Sequence, residues 1–259
     1  ACFAALVGEP HHGEWTLSPS VPVRAMGRLY LGDTVILATD FTTESGAVRV
    51  IDFMPPRGEA PDVVRIIIGV RGEVPMRSRV APRFGYGAST PWITLSPAGA
   101  SLVAGPDALR LSTALPLTMN EHGVDSEFTV RSGERHAFVL TWYPSHLPAP
   151  RPVHAEHALR DTENYWAEWV GRCRLGGPWR DAVIRSLLTL KTLTYAPTGG
   201  IVAAATTSLP EMLGGVRNWD YRYAWLRDAT LTLHALMHVG YEDEALAWRE
   251  ELALRTIRA

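Results

Sequence analysis

The chain has 259 residues, of which 46% are hydrophobic and 20% are charged, a composition typical of a globular protein with a buried core. Its 25 basic and 27 acidic side chains give a formal net charge of −2, which favours neither nucleic acid nor an anionic membrane as a partner. Two cysteines, Cys2 and Cys173, are too few for a disulfide framework or a structural zinc site. No apolar run approaches the roughly 20 residues that span a bilayer, so we expect a cytoplasmic protein that binds no membrane.

Short apolar runs separated by turn-forming residues fill the first 145 residues. The clearest runs cover residues 48–53, 63–70, 127–131 and 137–143. Turns are predicted at 45–46, 55–56, 71–72, 96–97 and 132–133, where Gly, Pro and Ser concentrate. Because no long helical pattern interrupts these strands, we predict an antiparallel β-sandwich over residues 1–145. Run 63–70 is dense in β-branched residues, which predicts a strand buried on both faces.

Four prolines between positions 144 and 152 favour extended backbone, and they predict a linker with one helix over residues 146–175. Beyond them the hydrophobic period changes from two to between three and four. Helices are predicted over 154–170, from Pro178 onward, through about Val239 with Gly240 as terminator, and from about Glu242. A loop over 206–215 precedes the third helix. The chain after the prolines is therefore predicted to be mainly helical.

Residues 214–229, GGVRNWDYRYAWLRDA, hold two Trp, two Tyr, three Arg and two Asp. Aromatic faces can cover the C–H groups of a sugar, while guanidinium and carboxylate groups bind its hydroxyls, so the composition suits a polyhydroxylated ligand. The same residues could instead start a helix whose aromatics belong to the core and whose Arg and Asp side chains pair with one another. Both interpretations stay open from composition alone.

Glycoside hydrolysis needs two carboxyl groups that flank the scissile bond, and Glu211, Asp220 and Asp228 are the acidic residues around this motif. Asp228 falls at the start of the third predicted helix, where the helix dipole favours the ionised carboxylate. An ionised aspartate is suited to holding sugar hydroxyls and poorly suited to donating a proton, and Arg227 beside it adds a rigid fork of donors. These residues predict a sugar clamp without an acid/base pair.

Other chemistries have weaker support. His234 and His238 lie four residues apart on one predicted helix, a spacing that can hold a metal ion, but no catalytic Glu separates them and no third ligand is evident nearby. A metal-dependent enzyme therefore stays a third hypothesis, and we predict no metal and no cofactor. No Gly-x-Ser-x-Gly sequence supports serine hydrolase chemistry.

Four segments resemble the glycoside hydrolase family 15 enzymes, which are the glucoamylases and glucoamylase-like trehalases. They are RNWDYRYAWLRDATLTLHAL, TYAPTGGIVAAATTSLPE, GPWRDAVIRSLLTLKTLTY and ALRDTENYWAEWVGRC. The resemblance is looser in VRVIDFMPPRG and ACFAALVGEP. It implies a super-β-sandwich, a linker helix and an (α/α)6 barrel, of which residues 176–259 would form the start.

The same resemblance implies inverting hydrolysis of an α-glucosidic bond in a maltooligosaccharide or in trehalose. By position, Trp225, Arg227 and Asp228 would bind the non-reducing glucose, and Tyr221 would support the positive charge of the transition state. Both catalytic glutamates are expected downstream of this chain, so we expect a fragment, truncated at both ends, that is inactive alone. The rival hypothesis is a non-catalytic carbohydrate-binding or scaffold protein made of a sandwich and a helical cap.

Overall fold

The structure of the chain, a computed structural model, describes residues 2–5, 9–205 and 211–258; for Pro10 and residues 251–258 it describes the backbone alone. The strands are β1 (Glu14–Pro19), β2 (Val23–Tyr30), β3 (Leu37–Thr43), β4 (Gly46–Phe53), β5 (Asp62–Ala81), β6 (Trp92–Ser96), β7 (Gly99–Ala104), β8 (Asp107–Ser112), β9 (Thr118–Met119), β10 (Val124–Arg131), β11 (Arg135–Pro144), β12 (Thr194–Tyr195) and β13 (Gly200–Ile201). The helices are α1 (Ala155–Gly171), α2 (Arg180–Thr192), α3 (Leu226–His238) and α4 (Glu242–Arg258), and a short 3-10 helix covers Pro10–His12. Within the described ranges no helix is long and apolar enough to cross a membrane.

The chain divides into two compact units. One consists of Ala1–Gly32 and Ile36–Asn164, and the other of Asp33–Val35 and Tyr165–Ala259. The first unit holds β1 to β11, and the second holds the short pair β12–β13 with α2, α3 and α4.

Strand β5 belongs to two sheets of the first unit. Its first part pairs with β4 and β11, and its second part pairs with β1 and β10, every pairing being antiparallel. The strand predicted at 63–70 is confirmed, but the turn predicted at 71–72 is wrong. There the register to β4 shifts between Ala47 and Val48, and Gly72 takes a φ of +65°. The turn-forming residues thus make a β-bulge that bends the strand without ending it.

The two sheets face each other across one core. The larger has the strand order β2-β3-β4-β5-β11-β8-β7-β6, and the smaller joins β1, β10 and β9 to the second part of β5. Leu17 and Met76 of the smaller sheet share a buried cluster with Ile67, Leu111 and Phe138 of the larger. The predicted antiparallel β-structure is therefore confirmed, and it is layered as a sandwich.

The other face of the larger sheet is also buried. Ile66 packs there with Ile51 and Phe53, and the first part of α1 covers them with Ala158 and Leu159. Because Ile66 and Ile67 are neighbours on β5 and point to opposite faces, both faces of this strand are buried, as the run of β-branched residues predicts.

The helices of the second unit lie close to their predicted positions, although α2 begins at Arg180 and not at Pro178. Of the loop predicted over 206–215, residues 206–210 lie outside the described residues. Trp166 and Trp169 share a buried cluster with Leu188 and Leu236, and the ring of Trp169 stacks on that of Tyr241 at 4.2 Å between centroids.

A buried carboxylate connects these helices. Glu244, whose side chain is 5% exposed, accepts a hydrogen bond from Trp169 Nε1 at 2.8 Å. The same oxygen, Oε1, lies 3.3 Å from Lys191 Nζ and 3.4 Å from Arg172 Nη2. Burial alone would raise the pKa of Glu244, but the hydrogen bond from Trp169 and the charge of Lys191 outweigh it and lower the pKa below its ordinary value. Glu244 is thus a buried anion that links α4 to α2 and to the end of α1.

We predict that Gly72→Ala destabilises the sandwich. A Cβ at position 72 would collide with the Ser45 carbonyl oxygen, and the left-handed backbone adds about 1–2 kcal/mol for any residue with a side chain. The midpoint of thermal unfolding, followed by circular dichroism, should fall by roughly 5 °C or more. Gly27→Ala is the matched control, because a Cβ at Gly27 in β2 meets nothing within 4 Å. Equal melting temperatures for both variants would contradict the role of the bulge.

Candidate functional site

The aromatic motif is attached to the second unit through its backbone. Ala204 N donates to Tyr221 O at 2.9 Å, and Ala203 N donates to Tyr223 O at 3.1 Å. Val202 and Ala224 form an antiparallel bridge beside them. Because these contacts use main-chain atoms, the side chains stay accessible, and the Tyr223 side chain is 65% exposed.

Asp220 and Arg222 fix the turn around Tyr221. Arg222 donates through Nε to Asp220 Oδ1 at 2.9 Å and through Nη2 to Oδ2 at 2.6 Å, and its backbone N–H donates to Oδ1 at 3.0 Å. These hydrogen bonds from Arg222 lower the pKa of Asp220 to about 2. Asp220 is therefore ionised at neutral pH and engaged with Arg222, which makes it unsuited to protonate a leaving group.

The four residues predicted to bind sugar lie next to one another at the start of α3. Trp225 caps the helix in extended backbone, and its carbonyl accepts the N–H of Ala229 at 2.9 Å. The ring of Tyr221 meets the Trp225 ring edge-on at 6.3 Å between centroids, and the Arg227 guanidinium lies 5.8 Å from the Trp225 centroid. Arg227 Nε in turn donates to Asp228 Oδ1 at 2.9 Å.

The structure agrees with one part of the helix-start interpretation of the motif and disagrees with another part. The helix-start hypothesis predicts paired Arg and Asp side chains, and the pairs Asp220–Arg222 and Arg227–Asp228 are formed. It also predicts buried aromatics, and here it fails, because the Trp225 side chain is 43% exposed. An exposed ring is compatible with the sugar-clamp hypothesis, and sugar binding stays a prediction.

A cavity of about 580 Å³ opens beside the motif. Trp225, Leu226 and Arg222 line one part of it, and Tyr195 and Trp248 line another. Tyr221, Arg227 and Asp228 are not among the described residues that line this cavity. Tyr195 and Trp248 lie outside the aromatic motif of residues 214–229. Tyr195 lies in a segment that carries the family resemblance, so its place near the site could have been predicted. For Trp248 the sequence offers only its position in the amphipathic pattern of α4.

The acidic residues of the motif are each held by another side chain. Asp220 pairs with Arg222, Asp228 with Arg227, and Glu211 Oε1 accepts the indole N–H of Trp219 at 3.0 Å. In the described part of the chain no carboxyl group lines the cavity. The described part of this cavity therefore offers no pair of carboxyl groups that could flank a scissile bond.

His234 and His238 are exposed on α3, and their rings stack at 6.1 Å between centroids. Among the residues that the structure describes, no group of three His, Cys, Asp or Glu side chains is placed to hold a metal ion.

Comparison with known proteins agrees with the resemblance of the motif. The family model "Glycosyl hydrolases family 15" matches residues 177–258, and the model "Trehalase-like, N-terminal" matches residues 1–140. A trehalase of Thermoplasma volcanium is 30% identical over 261 residues, covering 95% of this chain and 40% of the relative. A trehalase of Mycobacterium tuberculosis is 33% identical over 266 residues, covering 90% and 38%. The chain thus spans about two fifths of the length of these curated relatives.

Among solved structures, a crystal structure of a bacterial glucoamylase complexed with acarbose is similar with a TM-score of 0.59. The match covers 88% of this chain and 41% of the glucoamylase chain at 11% sequence identity. At this identity the likeness concerns the fold alone.

We predict that the carboxyl group of Asp220 titrates near pH 2 and that Arg222→Met returns its midpoint toward the ordinary value of about 3.9. Because the folded-state pKa is lowered, the contribution of the pair is present above about pH 4 and is lost as the pH falls toward 2. Carboxyl carbon chemical shifts followed by NMR measure the midpoint. Arg227→Met is the control, since Arg227 pairs with Asp228, and it should leave the Asp220 midpoint unchanged. A pKa near 4 for Asp220 in the unmodified chain would contradict the two side-chain hydrogen bonds from Arg222.

Proposed function

The chain belongs to glycosyl hydrolase family 15 and carries a trehalase-like N-terminal region, and from this we propose that it holds the non-reducing glucose of an α-glucoside that is hydrolysed with inversion. Trehalose is the proposed substrate, because the sequence relatives are trehalases, and a maltooligosaccharide is the alternative. The observation that carries the proposal is the exposed ring of Trp225, which lines the cavity and lies beside the Arg227–Asp228 pair.

Trp225 and its neighbours supply the contacts that a pyranose needs. The indole face can cover the C–H groups of the sugar. The Arg227 side chain is 73% exposed and uses Nε for Asp228. Within the described ranges the Arg227 Nη groups and Asp228 Oδ2 have no hydrogen-bond partner. We propose that they bind glucose hydroxyls through charge-assisted hydrogen bonds.

Tyr221 is proposed to stabilise the transition state. Its ring is held edge-on against Trp225, and the Asp220–Arg222 pair fixes the backbone on both sides of it. A phenolic oxygen held beside the anomeric carbon would stabilise the positive charge that develops there without having to reorganise.

The general acid and the general base are proposed to be residues other than Glu211, Asp220 and Asp228. An inverting glycosidase needs two carboxyl groups roughly 6.5–9.5 Å apart across the scissile bond. The three acids of the motif are instead engaged by Trp219, Arg222 and Arg227, and the described cavity wall contains no carboxyl group.

We further propose that residues 1–145 form the sandwich domain, 146–175 the linker, and 176–259 the first helices of an (α/α)6 barrel. The fold likeness to the glucoamylase structure and the family match over residues 177–258 support this division.

The sugar-binding proposal predicts that Trp225→Ala weakens trehalose binding by about tenfold or more, because the stacking surface is lost. Saturation-transfer NMR with trehalose and maltose measures the binding. Trp92→Ala is the matched control, since Trp92 is an exposed indole on β6 of the other unit. If a folded chain bound neither sugar, or if both variants lost binding equally, the sugar clamp would be wrong and a scaffold protein would be favoured.

Because no carboxyl group lines the described wall of the cavity, we predict that this chain alone does not hydrolyse trehalose, maltose or maltotriose. Proton NMR of the anomeric region should show no glucose above the enzyme-free blank after prolonged incubation. Appearance of β-glucose would overturn this prediction and would place an acid and a base within these 259 residues.

A further inference from the structure

A second cavity, of about 450 Å³, lies in the helical unit and shares no lining residue with the first. Its described wall comes from the end of α1, from α2, from the turn between β12 and β13 and from the start of α4. The volume falls within the range of roughly 300–1,000 Å³ that is typical of small-molecule sites.

Glu244 gives this cavity a preorganised charged wall. The buried carboxylate lines the cavity and holds the cations of Lys191 and Arg172 with one oxygen, Oε1. In the described part of the chain its other oxygen, Oε2, is buried without a hydrogen-bond partner. The Lys191 side chain is 21% exposed, and its ammonium group donates one of its three N–H groups to Glu244. The remaining N–H groups can donate to a ligand.

Two further polar residues line the cavity, the half-buried Tyr165 and the exposed Glu168 of α1. Among the described residues, the Tyr165 hydroxyl and the Glu168 carboxylate have no hydrogen-bond partner. Together with Lys191 they offer donors and acceptors from two helices to one space. Such convergent polar groups around a small-molecule-sized cavity are the usual signature of a ligand site.

The charges on the wall favour a neutral ligand. The two cations, Arg172 and Lys191, face three carboxylates, Glu168, Asp243 and Glu244. Arg172 Nη1 also lies 3.2 Å from Asp243 Oδ2, so much of the charge is already compensated within the wall. A strongly anionic or cationic ligand would disturb this balance, whereas hydroxyl groups can both donate to the carboxylates and accept from Lys191.

We propose that this cavity is an accessory binding site for a neutral polyhydroxylated small molecule, such as a hexose, held by Lys191, Tyr165 and Glu168. The site is separate from the glucose site proposed at Trp225 and does not depend on it.

The test isolates the second cavity by working in the Trp225→Ala background. Glucose binding is followed by saturation-transfer NMR and by the indole N–H resonance of Trp169, which is hydrogen-bonded to Glu244 beside the cavity. Adding Tyr165→Phe and Glu168→Ala removes two ligand-facing groups while leaving the Glu244 contacts in place. Adding Glu163→Ala is the matched control, because Glu163 is an exposed residue of the same helix that does not line the cavity.

We expect glucose to shift the Trp169 resonance in the Trp225→Ala chain and in its Glu163→Ala control, and to bind about tenfold more weakly after the Tyr165 and Glu168 changes. Absence of glucose binding in the Trp225→Ala chain would overturn the accessory site, as would unchanged affinity after those two changes. Tighter binding of glucose 6-phosphate or glucosamine than of glucose would overturn the neutral-ligand assignment. The proposal for Trp225 fails on a different result, namely equal trehalose binding with and without the Trp225 indole.

Discussion

The bend in β5 is the constraint on which the sandwich depends. One strand of 20 residues supplies hydrogen bonds to four neighbours, two in each sheet, so the sheets are connected through the strand itself. The bend requires Gly72, because Glu73 N donates to the Ser45 carbonyl at 3.2 Å and no Cβ fits beside that oxygen. Ile67 before the bulge and Met76 after it then reach the same buried cluster. A straight strand of this length could not place residues of both its parts in one layer between two sheets.

The helical unit depends on a polar interaction in an equivalent way. Removing one partner of a buried charge typically costs about 3–5 kcal/mol, because the remaining charge is left uncompensated. Glu244 is such a charge, and its partners come from α2 and from the end of α1. The apolar cluster around Trp169 buries Leu236 of α3. Ala229 and Leu233 of the same helix pack with Ile201 in another cluster. Helix α3 is therefore fixed along its length, which places its N-cap residue, Trp225, at a defined position.

The sequence predicts well those features that depend on local patterns and poorly those that depend on long-range pairing. The spacing of apolar residues and the glycine after α3 locate the predicted helix ends to within a few residues, whereas the strand predicted over 63–70 stops well before the end of β5 at Ala81. Gly72 looks like a turn residue because a turn and a bulge need the same backbone freedom, and only the pairing with β4 distinguishes them. Glu244 resembles an ordinary acidic residue in the first turn of a helix, since its partners are distant in sequence. Trp225 was predicted because its neighbours in sequence carry the motif, whereas Trp248 reaches the same cavity from another helix.

The two Arg–Asp pairs of the motif differ in the donors and acceptors that they leave available for a ligand. Arg222 donates hydrogen bonds to Asp220 through Nε, Nη2 and its backbone N–H. This pair therefore stabilises the backbone around Tyr221. Arg227 makes a single contact with Asp228 and is mostly exposed. An exposed pair of this kind contributes only about 0–1 kcal/mol to stability, so sharing it with sugar hydroxyls costs little. The pair nevertheless orients the guanidinium group, which would lower the entropy lost if the proposed sugar binds there. Pairing within the motif is thus compatible with the proposed sugar clamp, which stays a prediction.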